Sequence, residues 1–120
     1  MKNIEIKNTV KTPYIKLTDN SLIITGRSYP EMAITFYKPI MDRINEVDSF
    51  DDFKVFMDIE YMNTSSNKAI SYIIKNIADK TKSEVEVDWI IDEDDESMVD
   101  LSESYKSMMN NTKFIVEIRY

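Results

Sequence analysis

The sequence predicts an α/β fold in which helices pack on a largely parallel or mixed sheet. Three observations predict it. Short alternating stretches rich in Ile, Val, Tyr and Phe recur along the chain. From Pro30 onward, stretches with apolar residues at helical spacing separate them. The chain's 120 residues, 42% of them apolar, are enough for one core, so residues 1–120 are expected to form a single domain.

The elements follow in order. Ile4 to Ile6 is a short alternating stretch, broken at Thr12-Pro13. Alternation resumes at Tyr14-Ile15-Lys16-Leu17, and Asp19-Asn20 is a turn signal. Ser21 to Thr25 reads as a strand ending at Gly26, so a hairpin across Asp19-Asn20 is expected. Ser28 reads as a helix cap, with Pro30 at the first helical position, where a missing N–H costs nothing. Met32, Phe36, Ile40 and Ile44 give that helix a stripe at spacing four, and Pro39 inside it predicts a break or kink. Phe53 to Tyr61 reads as a strand with Val55, Met57 and Ile59 on one face. Phe56 on the other predicts that both faces are covered. Ala69, Ile70, Ile73, Ile74 and Ile77 form the cleanest helical stripe. Glu84 to Ile91 is a strand, and a helix follows with Met98, Leu101, Tyr105 and Met108. Phe114, Val116 and Ile118 close the chain as a strand, giving the order ββαβαβαβ.

Composition excludes several kinds of chemistry. The 22 acids and 15 bases give a net charge of -7, which argues against nucleic acid and anionic membranes as partners. Cysteine is absent, which removes disulfides, thiol nucleophiles and thiolate metal sites. With no histidine, the usual general base near neutral pH is missing. The single glycine, Gly26, cannot build a phosphate loop. No apolar run approaches the roughly 18 residues of a membrane span, and the N-terminus is unlike a signal peptide. A cytoplasmic domain without bound cofactor or metal is the expectation.

The segment Tyr61-Met62-Asn63-Thr64-Ser65-Ser66-Asn67-Lys68 is the place to look for function. Three hydroxyls stand where a strand turns into a helix. They can cap the helix. A helix start also favours a phosphate, which makes this a candidate phosphorylation site. A nucleophile here would need a base, and Lys68 is the nearest one. Asp92-Glu93-Asp94-Asp95-Glu96 reads as a helix start whose acids complement the helix dipole, with a divalent-cation site through oxygen ligands and a docking surface for a basic partner patch as the alternatives. Tyr29, Phe36 and Tyr37 read as core, with an exposed aromatic contact surface as the alternative, and Met108 and Met109 as the methionines to suspect of exposure.

Taken in order, several segments form a pattern: Thr12-Pro13, the strand ending at Gly26, Ser28-Tyr29-Pro30-Glu31, Phe36-Tyr37 with Pro39, Tyr61 to Ser66 with Lys68, and Trp89 before the acidic run. From about Ile4 to Phe114 the chain resembles the SiaC family of bacterial regulatory phosphoproteins. That resemblance implies a fold similar to STAS-domain anti-sigma-factor antagonists, with about five to six strands and about three to four helices. It implies a partner-switching protein and not an enzyme. A Ser/Thr kinase would phosphorylate Thr64, and a PPM-type phosphatase would reverse this. In the best-known system the unmodified form activates a GGDEF-type diguanylate cyclase, promoting cyclic-di-GMP synthesis and aggregation or biofilm growth. Asn63-Thr64 stands where the antagonists carry Asp-Ser, which makes a sigma-factor pathway the lesser expectation.

Three readings compete. In the first, Tyr61, Met62, Asn63, Ser65, Ser66 and Lys68 form a partner-binding face that phosphate on Thr64 would close. In the second, the domain is a constitutive binder with no switch. In the third, Asp58 and Glu60 hold magnesium or manganese in a small enzyme.

Overall fold

The computed structural model describes residues 2–120. Its elements are β1 (Ile4–Ile6), β2 (Tyr14–Leu17), β3 (Ser21–Ser28), α1 (Ala33–Glu46), β4 (Lys54–Met62), α2 (Thr64–Lys80), β5 (Val85–Asp92), α3 (Glu96–Met108) and β6 (Thr112–Arg119). The six strands form one sheet in sequence order. Strand β2 runs antiparallel to both of its neighbours, β1 and β3, and β3 to β6 are parallel. The stretch at Ile4 proves to be a strand of its own, paired with β2 through Ile4 and Leu17. Across the expected hairpin Leu17 opposes Leu22.

Cover is one-sided, which corrects the expectation of two covered faces. Each of α1, α2 and α3 links a strand to its next neighbour, always in the same direction across the sheet. Such crossovers are right-handed, so all three helices fall on one face. On that side Leu22, Ile24, Val55, Met57, Ile59, Val85, Val87, Trp89 and Ile91 are buried against Ile70, Ile73, Ile74 and Ile77 of α2. Phe56 points to the other side and is 37% exposed, in an open row that runs Lys16, Ile23, Phe56, Asp88, Ile115.

The start of α1 also differs from expectation. Arg27 and Ser28 continue β3 past a register shift at Gly26, whose φ of +107° suits glycine. Ser28 thereby turns into the core, where it caps nothing. The helix begins at Ala33, after Pro30. Its buried stripe is Ala33, Tyr37, Ile40 and Ile44, and Met32 is exposed. A spacing of four drifts by about 40° per step, so the Met32 row leaves the core face within two turns. Pro39 does not break the helix. The carbonyl it leaves unpaired belongs to Thr35, which is exposed and can bond water.

Candidate functional site

Strand β4 ends at Met62 and α2 begins at Thr64, so a single residue, Asn63, makes the turn. Its Oδ1 accepts the Ser66 N–H at 2.9 Å and its carbonyl accepts the Asn67 N–H at 2.9 Å. Its own N–H donates to the Ser28 carbonyl at 3.0 Å, fastening the turn to the end of β3. One Asn side chain therefore supplies the cap.

The remaining polar residues divide into two sets. Ser66 is fully buried, and Ser28 Oγ donates to its Oγ at 2.8 Å. With that proton committed, the Tyr37 hydroxyl donates to Ser28 Oγ at 2.6 Å. Burial pushes the Tyr37 hydroxyl up to about 12, against the smaller opposing effect of the Ser28 and Ser66 hydroxyls, so it stays a neutral donor at ordinary pH. Asn67 Oδ1 accepts from the Tyr105 hydroxyl at 2.6 Å. Burial raises the Tyr105 hydroxyl well above the usual tyrosine range as well. Asn63, Ser66 and Asn67 thus anchor the helix start to β3, α1 and α3. Thr64, Ser65 and Lys68 are exposed, and the N–H groups of Thr64 and Ser65 have no acceptor among the described residues.

Of the expected partner face, Tyr61, Ser65 and Lys68 are exposed and Asn63 is half-buried. Ser66 and Met62 are a correction: both side chains point inward and cannot touch a partner directly. Beside Ser65 and Lys68 the surface carries Met32, expected in the helix stripe, and two residues the sequence did not single out, Ile34 and Tyr72. Met32, Ile34 and Tyr72 are 69%, 73% and 51% exposed. With Glu31, Ser65 and Lys68 they line a cleft of about 650 Å³ between α1 and α2. The signal for Met32 was the 40° drift of its row. Tyr61 is braced edge-to-face by Tyr29, with ring centroids 5.7 Å apart. Of the two suspected methionines, Met108 is exposed and Met109 is buried at the end of α3.

Asp58 and Glu60 share the open face of β4 but are committed elsewhere. Arg119 reaches Asp58 at 2.8 Å and Asp92 at 2.7 Å, while Arg27 reaches Glu60 at 2.9 Å. Hydrogen bonding from Arg27 holds the Glu60 carboxyl below the usual range. Each pair engages one carboxylate oxygen at the strand ends, and no group of three or more carboxylates that could hold a metal ion occurs among the described residues. In the acidic run, Asp95 caps α3 by accepting the Met98 N–H at 3.0 Å. The larger cleft, about 830 Å³ near Asp19, Arg43 and Phe50, lies at the opposite end of the parallel strands. No helix among the described residues is long and apolar enough to cross a membrane.

Fold and site define a class: small α/β domains, open on one side of the sheet, that offer exposed hydroxyls on an anchored helix start. The model for the SiaC family regulatory phosphoprotein matches residues 6–118. The chain belongs to the SiaC family of regulatory phosphoproteins. Its fold is similar to that of SiaC of Pseudomonas aeruginosa, with a TM-score of 0.83 at 22% identity over 99% of this chain and 100% of that one. A second solved structure, diguanylate cyclase SiaD in complex with its activator SiaC from the same organism, gives 0.83 at 22% over 97% and 99%. The apo-SiaC structure from that organism gives 0.74 at 22%, with both chains covered over 100%. No curated protein matches the chain.

Proposed function

We propose that this domain is a cytoplasmic, non-enzymatic partner switch controlled by reversible phosphorylation of Thr64. A Ser/Thr kinase adds the phosphate and a PPM-type phosphatase removes it. The unmodified form binds and activates a GGDEF-type diguanylate cyclase, raising cyclic-di-GMP. The observation that carries the reading is a division of labour at the start of α2: Asn63, Ser66 and Asn67 do the anchoring, while Thr64 is exposed. A phosphate on Thr64 therefore costs no buried contact. Membership of a family of regulatory phosphoproteins supports the reading, as does the similar fold of a protein solved as a cyclase activator.

The docking face comprises Tyr61, Ser65, Lys68 and the neighbouring Met32, Ile34 and Tyr72. A phosphate beside it brings about -1.5 to -2 charges and a hydration shell that a docking partner would have to strip. Ser65 is exposed too, so the assignment to Thr64 rests on the family's pattern.

The test uses protein from its native cell. Peptide mass spectrometry should map one phosphate to Thr64, and Thr64→Ala should abolish it. Purified Thr64→Ala should hold the GGDEF cyclase encoded in the same genome, and Thr64→Glu should release it. Equal binding by both variants would leave a constitutive binder and end the switch reading.

A further inference from the structure

We propose that β6 is a self-association edge, at which two copies of the chain pair antiparallel about a two-fold axis through Ile115. The sheet has two edges, and they differ. Strand β1 is three residues long, a common way of blunting an edge. Strand β6 is eight residues long, carries no proline and keeps an unbroken register with β5. Its outer N–H and C=O groups form an uncovered row, the kind of edge that invites another strand.

The side chains select one register. With Ile115 opposite its own copy, Lys113 faces Glu117 of the second chain, and Glu117 faces Lys113. On the helix side Phe114 meets Val116, both only half-buried within one chain. Among the described residues neither Lys113 nor Glu117 has an ion-pair partner within the chain. Other registers match poorly. Centred on Val116, Lys113 opposes Arg119; centred on Glu117, that acid opposes itself. A shift of one residue sets Glu117 against Phe114. Ile115 is 40% exposed and would be covered at the axis.

The pairing would continue the sheet from one copy into the next. Because β4 and β6 are parallel, the two α2 starts would point to opposite ends of the joined sheet. Each copy would keep its own docking face clear of the other. The proposal stands apart from the Thr64 reading and survives its failure.

The test is a set of charge swaps followed by sedimentation velocity across micromolar to sub-millimolar concentration. Lys113→Glu alone and Glu117→Lys alone should each weaken the dimer roughly tenfold, since two cross-strand pairs turn repulsive. Mixing the two single variants, or combining both changes in one chain, should restore it. Both positions are exposed, so circular dichroism should stay that of the unchanged protein. The chain has no native cysteine, so Ile115→Cys gives a single thiol. Opposed residues in an antiparallel pair lie about 4.5–5.5 Å apart at Cα, within disulfide reach. Oxidised glutathione should link Ile115→Cys dimers and leave Lys113→Cys unlinked. A monomer throughout the range would overturn the proposal and leave the edge to a strand from another protein. So would a dimer indifferent to the swaps.

Discussion

Phosphate on Thr64 should make the free domain more stable while it weakens docking. Thr64 is the first residue of α2, with unpaired N–H groups beside it and Asn63 holding the cap. A charge there gains about 0.3–1 kcal/mol from the helix dipole, and phosphate carries about -1.5 to -2 charges. Lys68 stands four residues on, exposed and without an ion-pair partner among the described residues. An i,i+4 pair adds about 0.3–0.5 kcal/mol. Together these give about 1–2 kcal/mol, or a rise in Tm of roughly 3–10 °C for a domain of this size. The assay is scanning calorimetry on stoichiometrically phosphorylated and unmodified protein. Lys68→Met should remove part of the gain, and 1 M salt should remove most of it. The gain should also shrink below about pH 6, as the phosphate takes up its second proton. A fall in Tm on phosphorylation would refute the reasoning. The switch would then work by loosening the start of α2, and the anchoring network would not be what keeps Thr64 free.

Two further outcomes follow from the same network. Asn63→Ala should cost about 1 kcal/mol in urea unfolding, because the Ser66 N–H loses its acceptor, while Asn63→Asp should stay close to the parent protein. The Tyr37 hydroxyl titrates at about 12 in the fold against 10.0 unperturbed, so the folded state holds its proton longer. Its contribution is complete below pH 10 and should fade as pH rises to 12, by about 2–3 kcal/mol. Tyr37→Phe should flatten that part of the alkaline stability curve while lowering stability at neutral pH, since Ser28 loses its donor.

What the sequence disclosed depended on whether a residue's role was local. The Ile stripe of α2 and the alternation of β4 and β5 have periods read within a few residues, and their core faces came out as expected. The hydroxyl cluster was likewise visible as a helix start. Its internal division was not, because Ser66 is buried by Ser28, which lies 38 residues away. Ser28 itself was misread as a cap, since Ser before Pro at a helix start looks the same whether its strand ends at Gly26 or runs two residues further. The one-sided sheet needed topology as well: strand order decides on which face right-handed crossovers fall, and no single strand records that order. The proposed function depends on this non-local part. Three hydroxyl residues in a row, Thr64, Ser65 and Ser66, offer a kinase little distinction on sequence alone. Folding supplies one by turning Ser66 inward, giving Asn63 the cap and binding Asn67 to Tyr105, so that only Thr64 and Ser65 remain outside. On the proposed reading, the core narrows the choice to Thr64 and Ser65, and variants at Ser28, Tyr37 or Tyr105 should alter how the helix start is presented although none of them lies on the proposed docking face.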